Sequence, residues 1–248
     1  MASNQQAMLA QKISAWASNW LLTNLVSYYE LEANGNDSHW SNNCTEANTT
    51  YVTWKIANAC SFNGSTSSMR TSAISLAAGN SPYTINFWVK LNAEITTGNW
   101  WIMNCNPDAT LQDTFYAVTY NYNWWTRRLN YEHYYNWPET YYSLTYNVTL
   151  GTANWNMVTL VYSWTWMTMY FNWTSVSSWW WTGVYWFNAS PTYQNWLTIW
   201  SLYFLSWFAS RSNAIIDEVG FRNTNLSSTK ITDLYNAWSW LAYASFTS

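Results

Sequence analysis

At 248 residues the chain can bury a substantial core, and all-β sandwiches often use that length as one domain. A net charge of -3, with nine scattered Lys and Arg residues, leaves no electrostatic case for nucleic acid or for a membrane surface. Only 8% of residues are charged, where about 25% is ordinary, and 23 tryptophans stand against 7 glycines.

In chain order, Met1–Trp20 lacks the basic head and continuous apolar run of a secretory signal. Its helix formers, with Met8, Leu9, Ile13 and Trp16 near helical spacing, predict a short helix or an extended arm over residues 1–20, the alternative being a disordered tail. Such an arm has too little apolar surface to fold alone and is expected to dock on a neighbouring subunit. Leu25–Leu31 alternates as a strand, with Leu25, Ser27, Tyr29 and Leu31 on one face. Asn34–Asn43 is turn-rich. The Asn63–Gly64 pair between Ala59–Phe62 and Met69–Thr71 predicts a β-hairpin. Ser72–Ser81 reads as a loop in which Ile74 and Leu76 plug one end of a sandwich. Thr84–Lys90 is a core strand with Ile85, Phe87 and Val89 on one face.

Trp100–Tyr146 reads as several short aromatic strands, with loops around Pro107 and Pro138. From Thr140 to Ser210 there is no charged residue, yet Asn, Ser and Thr break every apolar run well before the ~18 residues of a membrane-spanning helix. Trp155–Tyr162 and Trp166–Trp173 predict a hairpin; Leu197–Trp200 and Ile215–Phe221 supply the last strands. Strands at this spacing with little helix point to an all-β fold, a two-sheet antiparallel jelly-roll sandwich over residues 21–240, with 241–248 as a tail. Cys44, Cys60 and Cys105 are odd in number and lack metal spacing, so no disulfide framework is expected, and Cys60 reads as a small buried hydrophobe.

The order "IIDEVGFRNTNLSSTKITDLYNAW", from Ile215 to Trp238, resembles the C-terminal signature of concanavalin A-like lectin/glucanase domains of the laminin-G-like (LamG) type. "LVSYYELE" at Leu25–Glu32 with "NDS" at Asn36–Ser38, "ACSFNGS" at Ala59–Ser65, and "YTINFWVK" at Tyr83–Lys90 agree with it in order. Trp155–Asn172 resembles the family's late hairpin. The resemblance explains the strand alternation that a transmembrane β-barrel would also show. Most domains of this family are exported. Where the family commonly has glycine, this chain has Trp40, Trp54, Trp164, Trp173, Trp200 and Trp238, with Ala33 and Ala57 as further cases. Bulky residues in left-handed turns would be strained, so an intact mass clearly different from 29.1 kDa would show that other residues occupy these positions.

Retaining glycosidases need two carboxyl groups about 5–5.5 Å apart. Asp217 and Glu218 are adjacent, so in a regular strand they face opposite sides; Glu30 and Glu32 share a face but lie on an early strand. His39 and His133 sit in loops without partners. No catalysis is expected. The resemblance implies a structural calcium, with Asp37 and Asp217 as candidate ligands, although calcium takes six to eight oxygens. Carbohydrate binding needs aromatic platforms with amides and hydroxyls, and Trp124, Trp125, Tyr134, Tyr135 and Trp137 are the candidates. The expectation is a non-catalytic structural protein of a virion or similar assembly, a decoration or tail-type component at a particle or cell surface. It would hold other protein subunits through its N-terminal arm, with glycans as a second partner. The alternative is a dedicated carbohydrate-binding lectin module.

Overall fold

The chain is described by a computed structural model over residues 21–54, 57–73, 82–106, 115–123, 125–135, 140–163, 166–180, 196–199, 212–237 and 243. Its strands in chain order are β1 (Leu25–Tyr29), β2 (Cys44–Ala47), β3 (Thr50–Thr53), β4 (Asn58–Asn63), β5 (Ser68–Ala73), β6 (Tyr83–Leu91), β7 (Gly98–Asn106) and β8 (Phe115–Asn123). They continue as β9 (Thr126–Tyr135), β10 (Thr140–Asn147), β11 (Asn156–Ser163), β12 (Trp166–Phe171), β13 (Thr174–Trp180), β14 (Trp196–Ile199) and β15 (Asn213–Arg222), before helix α1 (Ser228–Ala237). Sheet A runs β13-β12-β11-β6-β15-β4-β3, with β1 beside β15; sheet B runs β10-β9-β8-β7-β14-β5-β2. All pairings are antiparallel. The expected two-sheet sandwich is what the chain forms.

Alternation explains the core. Ile85, Phe87 and Val89 point from β6 into the space between the sheets, and Val158 and Leu160 do so from β11. Opposite them, Val118 and Tyr120, Leu129 and Tyr131, and Leu144 come from sheet B. Full burial of each such aliphatic or aromatic side chain stabilises the fold by roughly 1.5–3 kcal/mol. The Tyr83 and Tyr131 hydroxyls hydrogen-bond to each other, joining the sheets through their shared core. Cys60 is buried there as a free thiol.

Sheet A is covered on its other face too. Leu226, Ile231 and Leu234 pack on Leu25, Tyr28, Trp88, Met157 and Val161. This outer layer is why Tyr83–Val89 is buried at every position rather than at alternate ones. The Ser227 hydroxyl accepts from the Lys230 amide at 3.3 Å and so caps the start of α1.

Several local expectations change. The Asn63–Gly64 turn does not close a hairpin: β4 pairs with β3 and β15 in sheet A, whereas β5 pairs with β2 and β14 in sheet B. Asn63 Oδ1 accepts from the amides of Ser65, Thr66 and Ser67, and Gly64 takes φ +74°, so the loop carries the chain from one sheet to the other. The middle of the chain forms long strands of eight to ten residues rather than short ones. β1 ends at Tyr29, and Leu31 after it takes φ +57°. The expected shared face of Leu25, Ser27, Tyr29 and Leu31 breaks at its start, where a register shift between Leu25 and Ser27 puts Leu25 in the outer layer while Tyr29 and Leu31 join the core. None of Ala33, Trp40, Trp54, Ala57 and Trp173 has a positive φ; in the β12–β13 turn the left-handed residue is Asn172, at φ +59°. Trp164, Trp200 and Trp238, the loop 74–81 with Ile74 and Leu76, and residues 1–20 lie outside the described residues. No described helix is long and apolar enough to cross a membrane.

Candidate functional site

The outward face of sheet B is polar by register. On β8–β10 the inward residues are apolar, so their neighbours in sequence point away from the core. Antiparallel pairing sets these neighbours in three rows. Ala117, Glu132 and Ser143 form the first; Thr119, Asn130 and Thr145 the second; Asn121, Arg128 and Asn147 the third. Rows lie about 7 Å apart along the strands and neighbouring strands about 4.8 Å apart, giving a field of about 10 by 14 Å.

Its floor is cross-linked. Thr119 Oγ1 donates to Glu132 Oε1 at 3.2 Å, and Asn130 Nδ2 reaches Thr119 Oγ1 at 3.2 Å and Glu132 Oε1 at 3.4 Å. Thr119, Asn130 and Glu132 are only 2, 4 and 7% exposed, although they face away from the core. Beside them Ser143 and Thr145 share a 3.2 Å hydroxyl contact, and Thr145 and Asn147 are exposed. Asn121 Oδ1 and Arg128 Nε are shielded from solvent and have no hydrogen-bond partner. Glu132 is the sole acid on β7–β10. The face thus combines hydroxyls, amides, one carboxylate and one guanidinium with little net charge, but it is covered over β8 and β9 at Ala117, Thr119, Asn130 and Glu132 and open at Thr145 and Asn147 of β10.

The aromatic candidates do not gather here. Trp125 sits in the β8–β9 turn, 92% exposed. Tyr134 and Tyr135 end β9, about 30 Å from Trp125; Tyr134, paired with Phe115 and Tyr141, is one step of about 7 Å beyond the first row. Trp124 and Trp137 lie outside the described residues. Sequence reasoning missed the polar rows because the aromatics are the louder pattern.

The two calcium candidates serve different ends. Asp37 Oδ1 accepts from the amides of Tyr28 and His39 at 2.9 and 3.0 Å, and Oδ2 from that of Asn42 at 3.2 Å. Asp37 therefore clamps the 37–42 loop onto β1. Asp217 is fully buried in β15. Among the described residues no three His, Cys, Asp or Glu side chains come together as metal ligands.

The acids of β15 are not split between the faces of sheet A. A bulge interrupts the register between Asp217 and Gly220, with Glu218 at φ +52°. Asp217 stands opposite Trp88 of the outer layer, and Glu218 accepts a hydrogen bond from Tyr28, also of that layer. Both acids are buried, and both Asp217 oxygens and Glu218 Oε1 lack partners. Asn86 Nδ2 donates to the Glu218 carbonyl at 3.2 Å, and Arg222 donates to Asn86 Oδ1 at 2.7 Å and to the Leu21 carbonyl at 3.2 Å. Burial first, then repulsion from Glu218 and Glu32, pushes the Asp217 carboxyl well above the usual carboxylate range. Glu218 is pushed up to about 8 by burial, with its Tyr28 hydrogen bond opposing. This cluster has no open cleft; it is an internal polar knot.

Glu30 and Glu32 also do not pair as on a strand. Glu30 accepts from the Ser38 hydroxyl at 2.6 Å, and Glu32 accepts from the Asn58 amide at 2.6 Å. His39 Nδ1 lies 2.8 Å from the Tyr243 hydroxyl, and burial lowers its pKa. His133 does not sit in a loop: it lies within β9, paired with Tyr116 and Tyr142, and its side chain is outside the described residues.

No family model matches the chain. No curated protein matches it in sequence. Solved structures share the fold at low identity. Domain 4 of AbnA, a GH43 extracellular arabinanase from Geobacillus stearothermophilus solved with arabinotriose, is 17% identical with a TM-score of 0.61, covering 86% of this chain and 98% of that domain. The binding domain of Paraclostridial Mosquitocidal Protein 1 is 14% identical with a TM-score of 0.68, covering 87% of this chain and 52% of its own. The botulinum neurotoxin serotype G binding domain is 12% identical with a TM-score of 0.67 and coverage of 87% and 51%. The chain thus spans about half of these toxin domains and nearly all of the arabinanase domain. The likeness is one of fold: a β-sandwich of the kind these domains share.

Proposed function

We propose that the protein is a non-catalytic glycan-binding module, the lectin-like alternative of the sequence reading. The observation that carries this is the exposed part of the sheet B outer face, where Thr145 and Asn147 of β10 present a hydroxyl and an amide in register beside the buried, cross-linked Thr119–Asn130–Glu132 floor. Sugars present the same mixed donors and acceptors, and a site built on strands holds its groups in fixed positions. The likeness to an arabinanase domain solved with arabinotriose, and to toxin binding domains, supports the same reading. Hydrolysis by a retaining route would need a second carboxyl group about 5–5.5 Å from the first, and Glu132 has no such neighbour among the described residues of β7–β10. The particle-component reading rests on an arm over residues 1–20, outside the described residues, and no observation here favours it.

Screening the full chain on an array of neutral and sialylated oligosaccharides tests the proposal. Saturable binding to at least one glycan, confirmed by titration calorimetry, is the expected result. An array without a single binder would remove it.

A further inference from the structure

We infer that the outer face of sheet A carries a carbohydrate ledge over β12 and β13, which takes an uncharged oligosaccharide lying on Trp166 and Tyr170. This rests on the glycan-binding reading above and gives it a second surface, on the opposite side of the sandwich from Thr145 and Asn147.

The ledge follows from where the outer layer stops. Helix α1 packs over β1, β6 and β11, on Tyr28, Trp88, Met157 and Val161. Met167 and Met169 point from β12 into the core, so Trp166, Thr168 and Tyr170 point away from it. Antiparallel register sets Thr168 beside Ser178 and Tyr170 beside Ser175 of β13, the edge strand of sheet A. Trp166 is 46% exposed, Ser175 and Ser178 are exposed, and Thr168 and Tyr170 are half-buried. The strip is therefore open, where the floor of sheet B is covered.

Three features select the ligand. Trp166 and Tyr170 stand four residues apart, about 13 Å along the strand, which is longer than one sugar ring. Aromatic rings with hydroxyls between them match a sugar chain, whose rings have apolar CH faces and polar rims. The hydroxyls of Thr168, Tyr170, Ser175 and Ser178 have no hydrogen-bond partner among the described residues, so a ligand can supply one. No charged residue lies on β12 or β13, or anywhere from Thr140 to Ser210, so neither an anionic nor a cationic partner is complemented. At the far end Trp173, 49% exposed, meets Tyr235 of α1 with ring centroids 4.5 Å apart and closes the ledge. Trp166 and Tyr170 are not among the family glycine positions, so the ledge stands whatever occupies those.

Arabinotriose, and the neutral trisaccharide that binds best on the array, are titrated into the full chain and followed by calorimetry and by the tryptophan indole signals in NMR. The Trp166 signal, assigned by its loss in Trp166→Phe, is expected to shift saturably. That of Trp40, exposed in the 37–42 loop on the far side of sheet A, is expected to stay in place. Trp166→Ala should weaken binding about 10-fold or more, as loss of a central aromatic contact does. Ser178→Ala, exposed on the edge strand, should weaken it several-fold. Calorimetric binding with the Trp166 signal unmoved, and with both variants unaltered and natively folded by their melting profiles, overturns the ledge and leaves glycan binding intact. A Trp166 shift seen only with sialylated glycans overturns the ligand class. No glycan binding by the unmodified chain overturns both the ledge and the function.

Discussion

Gly220 shows how closely the outer layer is packed around the β15 bulge. A Cβ there would lie 2.7 Å from Asn86 Oδ1, 3.0 Å from an Arg222 terminal nitrogen and 3.3 Å from the Tyr28 ring. Gly220→Ala is therefore expected to destabilise the fold by about 1–3 kcal/mol, as overpacking does, measured by chemical denaturation. Glu218, beside it, gives a pH prediction. Its folded pKa of about 8 lies above its ordinary 4.5, so the folded state retains a proton that the unfolded chain releases. The stability contribution is complete below pH 4.5 and is lost as pH rises through 8. Asp217, shifted in the same direction, adds to the slope. Melting temperature should fall across that window, and Glu218→Gln should flatten the fall; an identical slope in the variant would exclude Glu218 as its source. The acids were legible in the sequence, but not their sides. Strict alternation sends neighbours to opposite faces, and a left-handed residue in a bulge cancels that rule without leaving a mark in composition.

Elements dense in apolar residues were the readable ones. β6, β11 and β12 announce themselves through Ile85, Phe87 and Val89 and through the pairing of Val158–Ser163 with Trp166–Phe171. Asn63–Gly64 announced a turn correctly and its destination wrongly, since the dipeptide fixes local backbone while Asn63's three amide contacts and the partner strands decide which sheet follows. The polar field had a signal too: Arg128–Leu129–Asn130–Tyr131–Glu132 alternates with period two, and only the identity of the neighbouring strands was missing. Helix α1 tests the outer layer as a unit. Ile231 is fully buried between it and sheet A. Ile231→Ala should cost about 2–5 kcal/mol by the same denaturation assay.

At the scale of the whole molecule, sheet A is closed by its last strand. β15 pairs with β1, β4 and β6, so Tyr28 and Glu218, 190 positions apart, meet through it. A chain ending before Asn213 should show no cooperative thermal transition, whereas the intact chain should melt in one; a sharp transition in the shortened chain would mean that the sandwich closes without β15. The same placement bears on biosynthesis. A ribosome making this protein delivers β1, β4 and β6 well before their common partner, since β6 ends at Leu91 and β15 begins only at Asn213, leaving three unsatisfied strand edges waiting in the cell while the intervening strands are made. Chaperone dependence, and sensitivity of yield to the speed of elongation, follow from where β15 lies in the gene rather than from how tightly it packs once in place.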